Sequence, residues 1–207
     1  DLCKKYKIKP LTTIFTRSRL KFIETLGIDK IKVSSFDCSS HKLIEELSKS
    51  SFKEIIVSTG CTLNSEIEKT SNILKSHKKN FCLLHCVSIY PTPITEAHLE
   101  RMNFLKNYSD NIGMSEHSNP SINSLKISIS SLMYNPKYIE RHFTILDPSK
   151  TKDGPVSLNP KQLKELVDIS KLGKKDLFNY IKDNIKEFDQ LKGNADRKLS
   201  NLELLNR

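Results

Sequence analysis

Short apolar runs alternate with longer amphipathic segments from residue 11 to about residue 170. Within the amphipathic segments, apolar residues recur at three- and four-residue spacing, as at Leu20, Ile23 and Leu26, which is typical of helices with one buried face. The runs between them are rich in β-branched residues and predict six strands: Leu11–Phe15, Lys30–Ser34, Glu54–Thr59, Phe81–Cys86, Asn111–Ser115 and Tyr138–Thr144. This alternation predicts βα units around a parallel sheet.

The length of the repeat favours a (β/α)8 TIM barrel. Successive predicted strands begin roughly 20 to 30 residues apart, close to the pitch of a barrel in which about 250 residues divide among eight units. About six of the eight strands are present, so the predicted α/β fold is an incomplete barrel. After Pro160 the pattern is helical only. We assign residues 1–172 to a barrel domain without its first strands, and residues 173–207 to a helical extension with a polar tail.

Composition and charge narrow the classes of function. No apolar run approaches the roughly 18 to 20 residues that a membrane span needs, and the amino terminus lacks a signal-peptide pattern. The five cysteines form an odd set without disulfide-framework spacing, which favours reduced thiols and a cytoplasmic location. The net charge of +10 comes from dispersed lysines without interleaved aromatic residues. We therefore expect a solvated basic surface and no nucleic-acid partner.

Polar side chains gather where each predicted strand ends. They are Thr13, Lys32, Ser35, Ser58, Thr59, Ser88, Tyr90, Ser115, His117 and His142. In a parallel barrel these ends face one mouth, where active sites form. Hydroxyls, a lysine and the backbone N–H groups beside Gly60 suit an anionic phosphate. Serine and threonine also end strands for structural reasons, and that interpretation stays open for each residue taken singly.

Two histidines suggest a metal. His117 and His142 follow consecutive strands, so we expect their imidazoles to be neighbours at the mouth and to suit a divalent transition metal with open coordination positions. His85 lies inside a predicted strand and is interpreted as a core histidine.

Several motifs, in this order, resemble the signature of the sialic acid synthase family. They are Lys32-Val33-Ser34-Ser35, Val57-Ser58-Thr59-Gly60, Leu83-Leu84-His85-Cys86, Tyr90-Pro91-Thr92-Pro93, Ser115-Glu116-His117, Glu140-Arg141-His142-Phe143-Thr144 and Ser157-Leu158-Asn159-Pro160. The similarity covers roughly residues 11–170.

The resemblance implies a metal-dependent condensation of phosphoenolpyruvate with an N-acylated hexose, such as N-acetylmannosamine or a deoxy diacetamido sugar, to give a nonulosonic acid. It implies that His117 and His142 hold a divalent metal, expected to be Mn²⁺. It also implies a set of substrate-binding residues: Thr13, Lys32, Ser35, Ser58, Ser88, Tyr90, Ser115 and Asp153. Family members are dimers, so we expect a homodimer of the full-length enzyme.

The sequence departs from the family pattern at two acidic positions. Asp37 stands where the family usually has glutamate, and Glu116 replaces the aspartate of its Ser-Asp-His motif. These are the candidate catalytic carboxylates. The family's first two strands have no counterpart, and residue 1 is Asp rather than Met. We therefore expect a piece of a longer enzyme, truncated at both ends and inactive by itself.

Two other classes of function stay open. A different phosphoenolpyruvate-using or aldolase-like TIM-barrel enzyme would share the lysine and the serines at the strand ends but would not need the paired histidines. A nucleic-acid-binding protein would use the +10 charge. The choice of sugar is also open.

Overall fold

The fold is an open parallel sheet flanked by helices. The computed structural model describes residues 2–205. In that part of the chain one sheet has six parallel strands in sequence order: β1 Thr12–Ile14, β2 Lys30–Val33, β3 Glu54–Ser58, β4 Phe81–Cys86, β5 Ile112–Glu116 and β6 Tyr138–Arg141. All six predicted strands are confirmed, with bounds that differ by a few residues.

Helices connect the strands and continue past the last one. Within residues 2–205 the α-helices are α1 Leu2–Lys5, α2 Leu20–Glu24, α3 His41–Ser48, α4 Asn64–Ser76, α5 Arg101–Leu105, α6 Pro120–Asn123, α7 Lys126–Ser131, α8 Pro160–Ile169, α9 Lys174–Asn184, α10 Phe188–Lys192 and α11 Asn201–Leu205. Single 3-10 turns lie at Arg17–Arg19, Ser35–Asp37, Ile94–Glu96, Leu132–Tyr134, Pro148–Lys150 and Gly154–Val156. None of these helices combines the length and the apolar character that a membrane crossing requires.

The sheet is buried on both faces, as parallel sheets usually are. Alternate residues along each strand point to opposite faces. Ile55 and Val57 face the helices and belong to the main core, where each is fully buried. Ile56 faces the other way and forms a second apolar cluster with Leu84 and Tyr138. The middle of the concave face is therefore apolar, and Ile56, Leu84 and Tyr138 line a cavity there.

An ion cluster lies at the amino end of the concave face. The Glu54 carboxylate receives Lys137 Nζ at 2.6 Å and Lys30 Nζ at 2.9 Å, and the Tyr138 hydroxyl donates to it at 2.8 Å. Glu54 is 3% exposed. These four residues are called the floor cluster below.

The barrel does not close within the described residues. β1 and β6 are the edges of the sheet, and a cavity of about 740 Å³ lies between them, lined by Leu11 on one side and by Ile139 and Glu140 on the other. The sheet is a half-barrel, which confirms the predicted incomplete (β/α)8 architecture.

The last strand is shorter than predicted. β6 ends at Arg141, and Phe143 pairs instead with Leu158 in an isolated parallel bridge. The Leu158 N–H donates to the His142 carbonyl at 2.8 Å. This pairing ends the ladder with β5 where His142 reaches the carboxyl edge of the sheet.

The segment predicted as a polar tail is folded up to residue 205. The Leu99 N–H donates to the Leu191 carbonyl at 2.9 Å, which holds α10 against the loop after β4. Gly193 then turns the chain with a φ of +52°, and a Cβ there would lie 2.4 Å from His98 Nδ1. Residues 193–205, called the carboxyl-terminal arm, continue to α11. The division between residues 172 and 173 stays a prediction.

Candidate active site

A pocket opens at the carboxyl ends of the strands, as the sequence predicted. Its volume is about 290 Å³. Nine of the predicted site residues line it: Thr13, Lys32, Ser35, Ser58, Ser88, Tyr90, Ser115, His117 and His142. They come from all six strands or from the loops that follow them, because parallel strands bring their carboxyl ends to one edge of the sheet.

One side of the pocket is suited to an anion. Lys32 Nζ lies 3.3 Å from Glu140 Oε1, and both residues point into the pocket. Among the described residues, the buried Ser58 Oγ and Glu140 Oε2 have no hydrogen-bond partner. Buried polar atoms normally have partners, so a free hydroxyl beside a lysine favours a site that a ligand completes.

Gly60 places its backbone N–H beside the hydroxyl of Ser35, on the anion side of the pocket. Its N–H donates to Ser35 Oγ at 3.1 Å. A Cβ at this position would lie 2.3 Å from Ser88 Oγ and 2.9 Å from Ser35 Oγ. Only glycine therefore leaves both hydroxyls in place, so the glycine of the Ser-Thr-Gly motif serves close approach.

The two predicted metal-binding histidines are neighbours. The ring centroids of His117 and His142 are 5.3 Å apart. The Tyr90 hydroxyl lies 2.7 Å from His117 Nε2, and Cys86 Sγ lies 3.8 Å from His117 Nδ1. Burial lowers the pKa of His117 to about 4. Burial, with a smaller contribution from His117, also lowers the pKa of His142.

The donor set fits a divalent metal with few protein ligands. Two neutral imidazoles at this separation can share one ion. Within residues 2–205, no group of three or more histidine, cysteine or acidic side chains is arranged to hold a metal. An ion here would therefore take its other ligands from substrate or water, and the Tyr90 hydroxyl would have to leave His117 Nε2.

Asp153 and Asp37 lie outside the pocket lining. Asp153 Oδ2 is 3.8 Å from His142 Nδ1, so this carboxylate borders the metal side of the site. Asp37 accepts a hydrogen bond from Ser34 Oγ at 2.7 Å and supports the 3-10 turn after β2. In this structure Asp37 holds the turn that carries Ser35.

Glu116 does not reach the pocket. Its carboxylate is 1% exposed, accepts from Ser128 Oγ at 2.6 Å and forms an ion pair with Arg141. Ser115 and His117 line the pocket, and the residue between them on the chain points to the opposite face. The structure therefore does not bring Glu116, predicted as a catalytic carboxylate, into the pocket, because Glu116 packs behind β5.

Glu140 is the pocket carboxylate that sequence reasoning missed. It lies two residues before His142, so strand alternation places both side chains on the concave face. The Glu-Arg-His motif contains this residue, and counting alternate positions back from His142 gives the face on which it lies. Phe15 and Phe36 also line the pocket and are largely exposed there.

The family model that matches the chain is the NeuB family, over residues 1–179. N,N'-diacetyllegionaminic acid synthase of Campylobacter jejuni is 31% identical over 167 residues, which are 79% of this chain and 48% of that protein. N-acetylneuraminate-9-phosphate synthase of Drosophila melanogaster is 28% identical over 79% of this chain and 44% of that protein. The chain thus spans about half the length of these curated relatives.

Solved structures agree on the fold. The spore coat polysaccharide biosynthesis protein SpsE of Bacillus subtilis superposes with a TM-score of 0.82 over 97% of this chain and 55% of that chain, at 21% identity. The N-acetylneuraminic acid synthetase of Leptospira borgpetersenii, in complex with citrate, gives a TM-score of 0.75 at 28% identity, over 88% of this chain and 68% of that chain. With the family model matching most of its length, the chain belongs to the NeuB family.

Proposed function

We propose that the protein condenses phosphoenolpyruvate with the open-chain form of an N-acylated hexose to give a nonulosonic acid. The observation that carries this proposal is the meeting of Lys32, Ser58, His117 and His142 in one pocket at the carboxyl ends of the strands. The names of the relatives, which are synthases of legionaminic and neuraminic acids, agree with it.

The anion side of the pocket would bind phosphoenolpyruvate. Lys32 supplies a positive charge, and the hydroxyls of Ser35, Ser58 and Ser115 supply donors without bulk. Glu140 holds Lys32 in place, and its second carboxylate oxygen is free to accept a hydrogen bond. Thr13 on the neighbouring strand completes this side.

The imidazole side would bind the sugar end. His117 and His142 would hold a divalent metal, for which we propose Mn²⁺, and such an ion acts as a Lewis acid on a carbonyl oxygen. Tyr90 would contact the sugar and orient its aldehyde, and Asp153 would accept hydrogen bonds from sugar hydroxyls. Ser88, whose hydroxyl lies with that of Ser35 beside Gly60, would instead contact phosphoenolpyruvate. Preorganised donors and charges supply most of the stabilisation in such sites.

The reaction balances as one addition and one elimination. The enol carbon of phosphoenolpyruvate forms a bond to the aldehyde carbon, whose oxygen takes up a proton. Water then adds to the resulting cationic carbon, loses a proton, and inorganic phosphate leaves as the 2-keto group forms. Lys32 and the serine hydroxyls stay bound to the phosphate throughout and stabilise its charge.

The test is the substitution Lys32→Ala in the full-length protein. Loss of a charged contact to phosphate should raise the KM for phosphoenolpyruvate by about 10- to 100-fold and change the KM for the sugar much less. Lys53→Ala is the matched control, because Lys53 is a largely exposed lysine paired with Asp29. Equal changes in both KM values would contradict the assignment of Lys32 to the anion.

A panel of N-acyl hexoses should be assayed by phosphate release with Mn²⁺ present. Sugar-dependent release distinguishes this reaction from that of an aldolase or another phosphoenolpyruvate-using enzyme. The relatives differ in the acid they make, so the panel also identifies the sugar. The homodimer stays a prediction.

A further inference from the structure

The carboxyl-terminal arm, residues 193–205, reaches the rim of the pocket. The Asn194 N–H donates to His98 Nδ1 at 3.1 Å, and Arg101 Nη1 donates to the Ala195 carbonyl at 3.2 Å. Asn64 Nδ2 then donates to Asp196 Oδ1 at 2.6 Å. The arm therefore crosses the loops after β3 and β4, which carry Gly60 and Ser88.

A buried ion pair ends this path. Arg197 donates through Nη1 and Nη2 to the two carboxylate oxygens of Glu203, at 2.6 and 2.7 Å. Glu203 is fully buried and Arg197 is 9% exposed. Burial alone would raise the pKa of Glu203, but hydrogen bonding and charge from Arg197 outweigh it and the pKa is lowered. The carboxylate is therefore ionised at neutral pH.

The ion pair contacts the backbone of the pocket loops. Glu203 Oε1 accepts a hydrogen bond from the Ser88 N–H at 3.2 Å, and Arg197 Nη2 donates to the Cys86 carbonyl at 3.4 Å. Cys61 Sγ lies 3.4 Å from the Glu203 carbonyl. The arm thus binds the backbone at both Cys86 and Ser88, where the chain passes from β4 into the following loop.

Ser88 lies in a closely packed part of the pocket, beside Gly60. A Cβ at Gly60 would lie 2.3 Å from Ser88 Oγ. Ser35 Oγ accepts a hydrogen bond from the Gly60 N–H and would lie 2.9 Å from the same Cβ. There is no room for one further carbon atom at this point. A small shift of the Ser88 backbone would therefore change how the serine hydroxyls meet a ligand.

Stability alone does not require charges at this place. Replacing a buried ion pair by apolar residues of similar volume is often neutral or stabilising. An ionised carboxylate also makes a stronger hydrogen bond to a backbone N–H than a neutral acceptor does. The combination of burial, a two-point arginine contact and a bond to the pocket backbone favours a role in placement.

We propose that the carboxyl-terminal arm is a positioning element of the candidate site, in which the Arg197–Glu203 pair fixes the Ser88 backbone for binding of phosphoenolpyruvate. This inference rests on the proposed function. Arg197 and Glu203 contact the backbone of the β4 loop at Cys86 and Ser88, so they are positioning residues rather than catalytic ones.

Two variants of the full-length protein separate an effect on the position of the Ser88 backbone from an effect on protein stability. Glu203→Gln leaves Arg197 charged and unpaired and offers the Ser88 N–H only a neutral acceptor, so the thermal midpoint should fall and the KM for phosphoenolpyruvate should rise, by less than in the double variant. The double variant Arg197→Met, Glu203→Leu removes both charges and keeps the volume. It should keep the thermal midpoint but raise the KM for phosphoenolpyruvate about tenfold.

Glu54→Gln is the matched control, because it breaks a buried ion pair at the opposite end of the sheet. It should lower the thermal midpoint without raising the KM. Hydrogen exchange of the Ser88 amide gives a readout that needs no turnover. This amide should exchange as slowly as those inside β4 in the wild type, and faster in the double variant.

A wild-type KM and wild-type exchange at Ser88 in the double variant would overturn the proposal. If that variant does not fold, the wild type still decides: rapid exchange of its Ser88 amide would show that the arm does not hold the loop. Absence of phosphoenolpyruvate-dependent turnover in the wild type would instead sink the proposed function, and the exchange data would still test the arm.

Discussion

Removing the charge of Glu54 should destabilise the protein strongly at neutral pH. Glu54→Gln leaves Lys30 and Lys137 facing each other without the carboxylate that holds them at 2.9 and 2.6 Å. Hydrogen bonds to a charged group contribute about 1.5 to 3 kcal/mol each, and breaking a buried pair costs about 3 to 5 kcal/mol. The side chains of Lys30 and Lys137 are 32% and 35% exposed, so hydration of their ammonium groups offsets part of this loss of stability.

We therefore expect a loss of about 2 to 4 kcal/mol in the free energy of unfolding. In a protein of this size that corresponds to a thermal midpoint lower by roughly 5 to 15 °C. Urea denaturation of wild type and variant at pH 7, followed by circular dichroism, gives the difference directly. Asp29→Asn is the control, because Asp29 pairs with Lys53 on the surface, and should leave the urea midpoint unchanged.

The difference in the free energy of unfolding between the wild type and Glu54→Gln should depend on pH. Burial alone would raise the pKa of Glu54, but hydrogen bonds from Lys137, Lys30 and Tyr138 outweigh it and the pKa is lowered. A lowered folded-state pKa means that the stabilisation is fully present above the unfolded value of about 4.3. It is lost as the pH falls through the folded-state pKa. A difference that stays constant down to pH 3, or one below about 0.5 kcal/mol at pH 7, would refute the reasoning.

Three further predictions concern the pocket and the sheet. His117→Ala or His142→Ala in the full-length protein should abolish turnover and lower the manganese retained after gel filtration, and full retention by both variants would refute the metal assignment. Gly60→Ala should raise the KM for phosphoenolpyruvate about tenfold, because its Cβ would displace Ser88 Oγ and Ser35 Oγ; an unchanged KM would mean that neither hydroxyl contacts this substrate. The 207-residue chain alone should release no phosphate and should bind an apolar dye at its open sheet edges, and sugar-dependent turnover would contradict this.

The sheet could be predicted from sequence because its signal is local. Each strand is a short apolar run between amphipathic helices, and strand order follows from the rule that successive βα units lie side by side. The signal that ends β6 is not local in this sense. It depends on Leu158, which binds the His142 carbonyl from a segment that follows 16 residues later.

The site was predictable to the extent that strand alternation was applied. Ser115 and His117 lie on one face, so Glu116 between them could not share it. The same rule would have found Glu140 two residues before His142. The family pattern drew attention to an acidic residue beside the histidine, whereas the geometry of a strand places that residue in the helix-facing core.

The carboxyl-terminal arm could not be predicted from periodicity. Residues 193–205 are mostly polar, and a polar segment without helical spacing usually indicates solvent exposure. Arg197 and Glu203 are nevertheless buried, because each satisfies the other and the backbone of the β4 loop. Burial by mutual pairing depends on partners distant in the fold, such as Ser88, which sequence spacing does not show.

The position of charge along the half-barrel separates stability from binding. At the amino end, Glu54 is fully engaged by its lysines and Tyr138. The apolar cluster that includes Ile56 and Leu84 lies between that floor cluster and the mouth. At the mouth, one oxygen of Glu140 has no partner, which leaves this group able to respond to a ligand. Because the charges at each end are held by their own neighbours, substitutions at the floor should change the free energy of unfolding, while those at the mouth should change substrate affinity.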